Sequence, residues 1–386
     1  MGIKKMNTFL NSHNIYKKYA YINDTIIDNN IEKKNIIIGI DGNLFCYKYS
    51  HSCDNMLIGF YNQILNFLSH GYIPLYIFDG GTVEEKELTN FNRNKKKCIS
   101  RSKLDSLETY LSNENEDIDD LLYDELFQYK KKLEKDTIKI SNTEIKKVIE
   151  LLDLLNIPYI FANNEAEYLA VLLNNYNIID LFLSDDTDPI ASGINKLIKF
   201  NNNMVIYFDI NECYQKLNID KKQLCDISIL LGTDYMKFNH KLKPKEIYKL
   251  IYDNYSIENI IEFVNDGSIY STDEFLIIIN KIRHIYFNSP DNEKNYILNK
   301  ECVYDSNILI EFWDEFIDIF KAYDSDKVNM YKVNMYKVNI INYIKNRKIN
   351  IKNIVKFFKQ NVNDITNDEL DITITSLMTV MTIIHL

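Results

Sequence analysis

The sequence predicts an α/β fold with a central, mainly parallel twisted sheet flanked by helices. Two short β-branched apolar runs, at residues 35–40 and 74–78, read as strands that end at Asp41 and Asp79. A helical pattern over residues 56–69 separates them, so the unit is a β-α-β crossover with parallel strands. Ligand crevices in such sheets lie at the carboxyl ends of the strands, which is where both aspartates fall.

The same pattern recurs in the second half of the chain. Residues 158–161 predict a strand, residues 165–174 a helix, and residues 179–184 a further strand. This last strand runs directly into Asp185, Asp186, Thr187 and Asp188. Acidic side chains are therefore predicted to gather at one edge of the sheet.

Three regions lie outside this alternation. Residues 197–200 and 204–208, separated by three asparagines, predict a hairpin that extends the sheet as an antiparallel edge. Residues 82–147 are highly charged and contain no apolar strand, which predicts helices that project from the core. After Asp226 the pattern is mostly helical to the C-terminus, which predicts a helical extension of one core.

Length and composition are those of a globular protein with a large core. The 386 residues are 46% hydrophobic and 26% charged, enough for one large domain or two. The six cysteines include no C-x-x-C pair and the six histidines complete no zinc spacing, so we expect a reducing compartment and no structural zinc. No apolar run reaches the roughly 18 residues of a membrane span, and no signal-peptide layout is present.

Seven carboxylates are candidate metal ligands. Sets of oxygen ligands select hard cations such as Mg²⁺ or Mn²⁺, and two such ions can clamp the attacking and leaving oxygens of a phosphodiester. The net charge of −10 argues against a nucleic-acid partner. Bound cations would neutralise these acids, however, and nucleic-acid binding would then depend on local basic clusters. The candidates are Asp41, Asp79, Glu165, Glu167, Asp186, Asp188 and Asp234.

A structural interpretation competes with the metal site. A single Asp after a strand is more often a turn former or a helix N-cap. Several carboxylates at one sheet edge would nevertheless repel one another unless a cation neutralised them. Glu165 and Glu167 converge only if Glu165 begins its helix, and we expect Pro189 to hold Asp188 extended, outside helical geometry.

Six segments together resemble the flap endonuclease branch of the XPG family of structure-specific 5′ nucleases. The resemblance implies a PIN-like nuclease core with a helical arch insertion and a C-terminal helix-two-turn-helix module. The corresponding regions are residues 1–95 (N-terminal nuclease region), 82–147 (arch), 148–270 (internal nuclease region with the helix-two-turn-helix) and 271–386 (divergent helical extension). The segments are MGI at the start, IGIDGNLFCY at 38–47, LYIFDGG at 75–81, IPYIFANNEAEYLAVL at 157–172, LFLSDDTDPIASG at 181–193 and ISILLGTDY at 227–235.

The resemblance also implies roles for individual residues. Lys86 and Arg93 match the catalytic Lys and Arg of the arch, and their spacing of two helical turns places them on one face, although a solvated Lys is the commoner fate of any single lysine. Tyr47 matches an aromatic residue that stacks on a base, with an ordinary core or surface tyrosine as the alternative. Asp41, Asp79 and Glu165 would hold one Mg²⁺, Asp186, Asp188 and Asp234 a second, with Glu167 near both. The predicted DNA contacts are Gly2, Tyr47, Lys95, Lys96, Lys97, Lys241, Lys243 and Lys245.

The chain departs from the family pattern at three places. The arch region, from Asp79 to Glu165, is longer than in the cellular flap endonucleases and contains an acidic stretch. Residues 241–244 read KLKP where the family has a glycine-containing G-I-G-P turn that binds K⁺, so we expect duplex binding with a weak or absent K⁺ site. Phe357 and Phe358 have Ile351 where a sliding-clamp motif would have Gln, so no clamp partner is predicted and a monomer is expected. The divergent tail and AT-rich residue usage suit a version from a large DNA virus.

These features predict a Mg²⁺-dependent hydrolase, with Mn²⁺ as a substitute, that cuts DNA at 5′ flaps or junctions in replication or repair. The alternatives are a 5′-3′ exonuclease of the same family, a non-catalytic binder of DNA junctions, and a D-x-D phosphatase. The expected location is the nucleus, the host nucleus if the protein is viral, or a cytoplasmic replication site.

Overall fold

A computed structural model gives the structure of the chain. It describes residues 2–29, 31, 36–53, 55–81, 87–113, 120–236, 238, 240–299, 312–321, 330–346, 348–362 and 365–385. Lys86 lies outside these residues.

The described part of the chain contains a seven-stranded sheet with strand order β1-β7-β6-β5-β2-β3-β4. Strands β2 to β6 are mutually parallel, whereas β7 and β1 are antiparallel to their neighbours. The predicted α/β class with a mainly parallel sheet is confirmed. The strands are β1 (Lys17–Tyr19), β2 (Ile37–Asp41), β3 (Ile73–Phe78), β4 (Tyr159–Phe161), β5 (Leu181–Leu183), β6 (Lys196–Asn201) and β7 (Met204–Asp209).

Helices cover the sheet and form the arch and the C-terminal part. They are α1 (Met6–Ser12), α2 (Ile22–Asp28), α3 (Gly42–Ser52), α4 (Met56–Ser69), α5 (Glu87–Asn113), α6 (Asp120–Thr137), α7 (Asn142–Leu154), α8 (Ala166–Asn175), α9 (Asp188–Ser192), α10 (Ile210–Leu217), α11 (Lys221–Gly232), α12 (Pro244–Asn254), α13 (Ile261–Val264), α14 (Thr272–Leu298), α15 (Trp313–Lys321), α16 (Met330–Asn346), α17 (Ile351–Asn361) and α18 (Asn367–His385), with a 3-10 turn at Ile257–Ile260.

The predicted hairpin forms, but it is not the edge of the sheet. Strand β7 is antiparallel to β6, as the sequence predicts, and β1 pairs on its outer side, with Lys17 opposite Tyr207. The three residues of β1 are too few to show the alternation by which a strand is recognised in a sequence. Their pairing depends on a partner almost two hundred positions away.

Within the described part of the charged segment, residues 87–113 and 120–137 form two helices, and residues 142–147 begin α7. Helices α5 and α6 bury Leu104, Leu107 and Leu133 in a small cluster of their own, separate from the main core. Most other side chains described on these helices are exposed. This pair corresponds to the predicted helical arch.

The C-terminal helices share the main core of the nuclease region. Helix α14 packs against α8, α11 and α9, and α18 packs against α4. The Tyr61 hydroxyl donates to the backbone carbonyl of Thr373 at 2.6 Å. Buried side chains from Ile3 to Val380 form one continuous cluster. Within the described residues, no helix is both long and apolar enough to span a membrane.

Candidate metal centre

Parallel strands carry the first two candidate ligands to the same edge of the sheet. Asp41 ends β2 and caps α3, with Oδ1 accepting the Leu44 backbone N–H at 2.9 Å. Asp79 directly follows β3, and its Oδ1 accepts the Ala166 N–H at 2.8 Å. The Asp79 backbone N–H donates to Asn43 Oδ1 at 3.1 Å. Both carboxylates are thus held by backbone donors at the predicted crevice, Asp41 by a local one and Asp79 by one 87 residues away in the chain.

The glutamate pair lies at a helix start, as its spacing requires. Glu165 is the N-cap residue of α8, with extended backbone angles (φ −97°, ψ 137°), and Glu167 occupies the first turn. Both side chains are buried. Because Glu165 is outside the helical spiral, the two carboxylates are not forced to opposite sides of α8.

A third glutamate, which the sequence motifs do not single out, holds the turn in front of Glu165. Glu293, on α14, accepts the Asn163 N–H at 2.8 Å through Oε2 and the Asn164 N–H at 3.1 Å through Oε1. Burial raises the pKa of Glu293 to about 7, and the negative charge of Asp79 adds to the rise. The two hydrogen bonds from Asn163 and Asn164 lower the pKa and so oppose it. In the sequence, the sign of its position is that it follows the buried Tyr286 by seven residues, which is two helical turns. Glu293 therefore lies on the same inner face of α14.

Asp186 and Asp188 lie in the loop and helix that follow β5. The Asp186 backbone N–H donates to Ser184 Oγ at 3.1 Å, and the same hydroxyl donates to Asp41 Oδ2 at 3.1 Å. Ser184 therefore joins the ends of β2 and β5.

The expectation that Pro189 keeps Asp188 extended is wrong. Asp188 is the first residue of α9, and its backbone N–H donates to Asp186 Oδ1 at 3.0 Å. Proline is tolerated in the first helical turn, where backbone N–H groups have no partner within the helix, so it starts this helix instead of excluding it. The Asp188 side chain remains buried at the site.

The N-terminal segment ties the Asp186 loop to the chain before Asp234. The Ile3 N–H donates to Thr187 Oγ1 at 2.9 Å, and the Lys4 N–H donates to the Gly232 carbonyl at 2.9 Å. Gly2 has φ +78°, and a Cβ there would lie 2.0 Å from Asp186 Oδ1. Gly2 therefore lies beside the candidate ligands, and only glycine fits there.

Two tyrosines link the helix of Glu167 to the loop of Asp234. The hydroxyls of Tyr168 and Tyr235 are 2.6 Å apart, and each tyrosine directly follows a candidate ligand in sequence. The Tyr235 ring also packs edge-on against Tyr286 of α14, with centroids 5.8 Å apart. Aromatic packing thus joins the internal region to the C-terminal helices.

The carboxylates are close enough to repel one another. Burial, followed by the charge of Asp79 and more weakly that of Asp186, raises the pKa of Asp41 to about 8, although hydrogen bonds from Leu44 and Ser184 oppose the rise. Within the described residues no three Asp, Glu, His or Cys side chains converge tightly enough to hold an ion as they stand. The carboxylates can repel one another without yet forming a metal site, because repulsion acts over several ångströms. Mg²⁺, in contrast, needs its ligand oxygens at about 2.0–2.1 Å. This all-oxygen set suits a hard cation, whose charge would relieve the repulsion.

The arch places its basic residues on α5. Arg93 lies on this helix, with Lys95 and Lys96 exposed two and three positions later. Lys97 is half-buried: its Nζ lies 5.1 Å from the ring centroid of Tyr47 on α3 and donates to the Ile138 carbonyl at 2.9 Å. The structure brings these two predicted DNA contacts together, whereas Lys95 and Lys96 face solvent.

The divergent KLKP segment leads into α12 without a left-handed residue. Lys241, Leu242 and Lys243 all avoid positive φ. Lys243 is the N-cap residue with φ −81°, and Pro244 starts the helix. The side chains of Lys241, Lys243 and Lys245 are exposed. A turn without glycine therefore forms here and presents three cations to solvent.

Residues 156–234 match the family model of the XPG I-region. The chain is 26% identical over 338 residues to the probable RAD2-like endonuclease 369L of Invertebrate iridescent virus 6, a match that covers 74% of this chain and 79% of that protein. It is 28% identical over 236 residues to flap endonuclease 1-B of Xenopus laevis, covering 60% and 58%. It is also 24% identical over 343 residues to flap endonuclease 1 of Enterocytozoon bieneusi, covering 86% and 87%.

Solved structures show the same fold. The catalytic core of Rad2 in complex with a DNA substrate superposes with a TM-score of 0.55 at 18% identity, covering 97% of this chain and all of that one. Flap endonuclease-1 from Methanococcus jannaschii gives a TM-score of 0.54 at 17% identity, covering 91% and 94%. The I-region match covers the segment from just before β4 to Asp234, which contains five of the seven carboxylates. In sequence the chain is therefore similar to RAD2-like and flap endonucleases, residues 156–234 match the XPG I-region, and the fold is that of the Rad2 and flap endonuclease-1 structures.

Proposed function

We propose that this protein hydrolyses DNA near 5′ flaps or junctions with the help of two Mg²⁺ ions, in DNA replication or repair. The observation that carries the proposal is the gathering of buried and half-buried carboxylates at one sheet edge. There Asp41 and Asp79 repel each other, and Ser184 joins the Asp41 strand to the Asp186 loop. Nucleases of this family generally depend on divalent metals, and the donor set here fits that chemistry.

The seven carboxylates divide into two candidate ligand sets, with Asp41, Asp79 and Glu165 in one, Asp186, Asp188 and Asp234 in the other, and Glu167 near both. When bound, the two ions would activate a water molecule and stabilise the departing 3′ oxygen. Backbone N–H groups of Leu44 and Ala166 hold Asp41 and Asp79 at the sheet edge, and the remaining approach of the carboxylates to ligand distance would accompany ion binding.

Cationic side chains would bring the phosphate to the carboxylates. Lys86 and Arg93 are proposed to neutralise the scissile phosphate, in keeping with their spacing behind Asp79. The solvent-facing lysines of the arch and of the KLKP segment would bind backbone phosphates away from the cut. Tyr47 is proposed to stack on a base, and Gly2 to lie beside the bound strand.

A cleavage panel tests the activity. Purified protein with Mg²⁺ is incubated with 5′-labelled flap, nicked and gapped duplexes, and the products are sized. We expect the flap to be cut near its junction, and Asp186→Asn to abolish the cut. Asp185→Asn is the matched control, because Asp185 is the adjacent acid but pairs with Lys48 at 2.9 Å, outside both ligand sets.

Three results would redirect the proposal. Stepwise shortening from a 5′ end would identify the exonuclease, and tight binding without any cut would identify the junction binder. Hydrolysis of a small phosphomonoester that depends on Asp186 and Asp188, with all DNA left intact, would identify a phosphatase.

Partners and location are proposed on the same basis. Phe357 and Phe358 are buried in α17, where the Phe358 ring packs edge-on against Tyr61 with centroids 5.2 Å apart. This supports the proposal that they form no clamp-binding motif. We also propose that the protein acts as a monomer. Its site of action would be nuclear DNA or a cytoplasmic replication site.

A further inference from the structure

The turn that precedes Glu165 is held from two sides. On one side, the Asn164 carbonyl accepts the backbone N–H groups of Gly80 at 2.9 Å and Gly81 at 3.1 Å. A Cβ on Gly80 would lie 1.9 Å from the Ala162 carbonyl oxygen, so the two backbones touch. On the other side, Glu293 receives the N–H groups of Asn163 and Asn164.

Glu293 makes this contact across 130 residues of sequence, from the C-terminal part of α14. Its side chain is completely buried. Each of its two oxygens takes one backbone N–H, at 2.8 and 3.1 Å, which is the two-point geometry of a carboxylate on paired donors. Such a contact fixes both the position and the rotation of the turn, which a single hydrogen bond cannot do.

A buried carboxylate is a costly way to satisfy two N–H groups at this place. Asp79 lies near enough to repel it, and removing a charge from water costs several kcal/mol unless it is well compensated. A neutral acceptor such as a glutamine carbonyl would avoid that repulsion, but it would accept through one oxygen only. What the carboxylate adds is the second acceptor.

The turn leads directly into the metal site. Glu165 is the next residue after Asn164, and Asp79 immediately precedes Gly80. Asp79 in turn accepts the Ala166 N–H. The separation of these two candidate ligands is therefore set by one short piece of backbone, which Glu293 holds from behind.

We propose that Glu293 is a positioning residue for Mg²⁺ binding: by holding the Asn163–Asn164 turn at two points, it sets Glu165 relative to Asp79. This inference rests on the proposed function, because it assumes that Glu165 and Asp79 bind metal. It assigns a part in the metal site to the C-terminal helical region, through a residue that lies outside the six family-like segments.

The test measures Mg²⁺ binding by calorimetry on folded protein without DNA. Glu293→Asp keeps the charge but shortens the side chain by about 1.5 Å, so it cannot reach both donors. Glu293→Gln keeps the length but turns one acceptor into a donor. We expect both variants to weaken Mg²⁺ affinity by about 10- to 100-fold, the usual effect of removing a group that orients metal ligands.

Two controls separate position from charge and from folding. Asp291→Asn removes an exposed charge from the same helix and should leave the Mg²⁺ affinity unchanged. Melting temperatures in EDTA show whether each variant is folded. If a Glu293 variant is not, Gly80→Ala displaces the same turn from its other side and should weaken Mg²⁺ binding in the same way.

Each outcome decides the matter. Wild-type Mg²⁺ affinity in either Glu293 variant would overturn the inference: in Glu293→Asp because charge alone would then suffice, and in Glu293→Gln because a single acceptor would then suffice. If Asp186→Asn binds Mg²⁺ as the wild type does, the proposed metal site fails, and the inference fails with it. Weakened binding in Asp186→Asn but not in the Glu293 variants would overturn the inference alone.

Discussion

Lys97 of the arch lies over the aromatic ring of Tyr47, with Nζ 5.1 Å from the ring centroid. A cation on a ring face gains about 0.5–1 kcal/mol at exposed sites. The same ammonium group donates to the Ile138 carbonyl at 2.9 Å, so α5 is attached to α3 and to the end of the arch. Two residues proposed to touch DNA therefore touch each other.

The proposed stacking of Tyr47 on a DNA base would depend on its ring and not on its hydroxyl. Replacing Tyr47 by Leu should weaken binding of a flap duplex by about 1–3 kcal/mol, the value of one aromatic–base stack. Replacing it by Phe should leave binding nearly unchanged. Fluorescence anisotropy in EDTA measures this without cleavage, and equal affinities for the Leu variant and the wild type would exclude a stacking role.

Gly2 should tolerate no side chain, because a Cβ would collide with Asp186 Oδ1. Since displacing a reacting group by about 1 Å can cost 10²-fold in rate, we expect Gly2→Ala to lower kcat by roughly that factor. Gly71→Ala is the matched control: Gly71 has the same φ of +78°, but no atom lies within 4 Å of the added carbon. Single-turnover cleavage of a flap substrate gives the comparison. If kcat fell equally in both variants, the cause would be backbone strain alone and not a collision with Asp186.

The three exposed lysines around the KLKP segment should act through charge. Removing one lysine that binds a DNA phosphate reduces the slope of log affinity against log salt concentration by about 1. The combined variant Lys241→Gln, Lys243→Gln, Lys245→Gln should therefore reduce the slope by about 3 if each lysine binds one phosphate. Binding isotherms of a duplex at several NaCl concentrations measure it, and an unchanged slope would remove this segment from the DNA interface.

The glycine-free turn of the same segment should make activity independent of K⁺. We expect flap cleavage at equal rates in KCl and NaCl of the same ionic strength. A strict requirement for K⁺ would show that Lys241, Leu242 and Lys243 still build an ion site without positive φ.

Acid should weaken the contact between Glu258 and Arg283. Hydrogen bonding from Arg283 lowers the pKa of Glu258 from its ordinary value of 4.5 to about 2. A carboxyl whose pKa is lower in the folded protein stabilises the fold above its ordinary pKa, and this contribution disappears as the pH falls through 4.5 toward 2. Because Glu258 is partly exposed, the contribution is no more than about 1 kcal/mol.

Urea unfolding of the wild type and Glu258→Gln from pH 7 to pH 2 measures that contribution. The difference in unfolding free energy should be constant above about pH 5 and should shrink at lower pH. In the wild type Arg283 also pairs with Asp226, at 2.6 Å. The Glu258→Gln substitution does not touch this pair, so the variant should remain folded. A difference that persists at pH 2 would contradict the assignment.

The sequence by itself predicted the features that local pattern encodes. The apolar runs before Asp41, Asp79 and Asp186 predicted parallel strands, and the acids after them predicted one shared edge, because every β-α-β crossover sends its strand ends the same way. The spacing of Glu165 and Glu167 likewise required a helix start between them, which the structure has. The helix at residues 56–69 and the helical arch came from periodicity and charge patterning along the chain.

Tertiary structure decided what depends on a distant partner. Strand β1 exists because β7 offers it an edge, and the Tyr47–Lys97 contact exists because the arch folds back onto α3. Glu293 illustrates the limit most clearly: in sequence it is one acid in a charged helix, and only the fold brings it to the Asn163–Asn164 turn. Local periodicity records which face of an element is buried. It does not record which residue lies on the other side, because that is settled only when the elements pack.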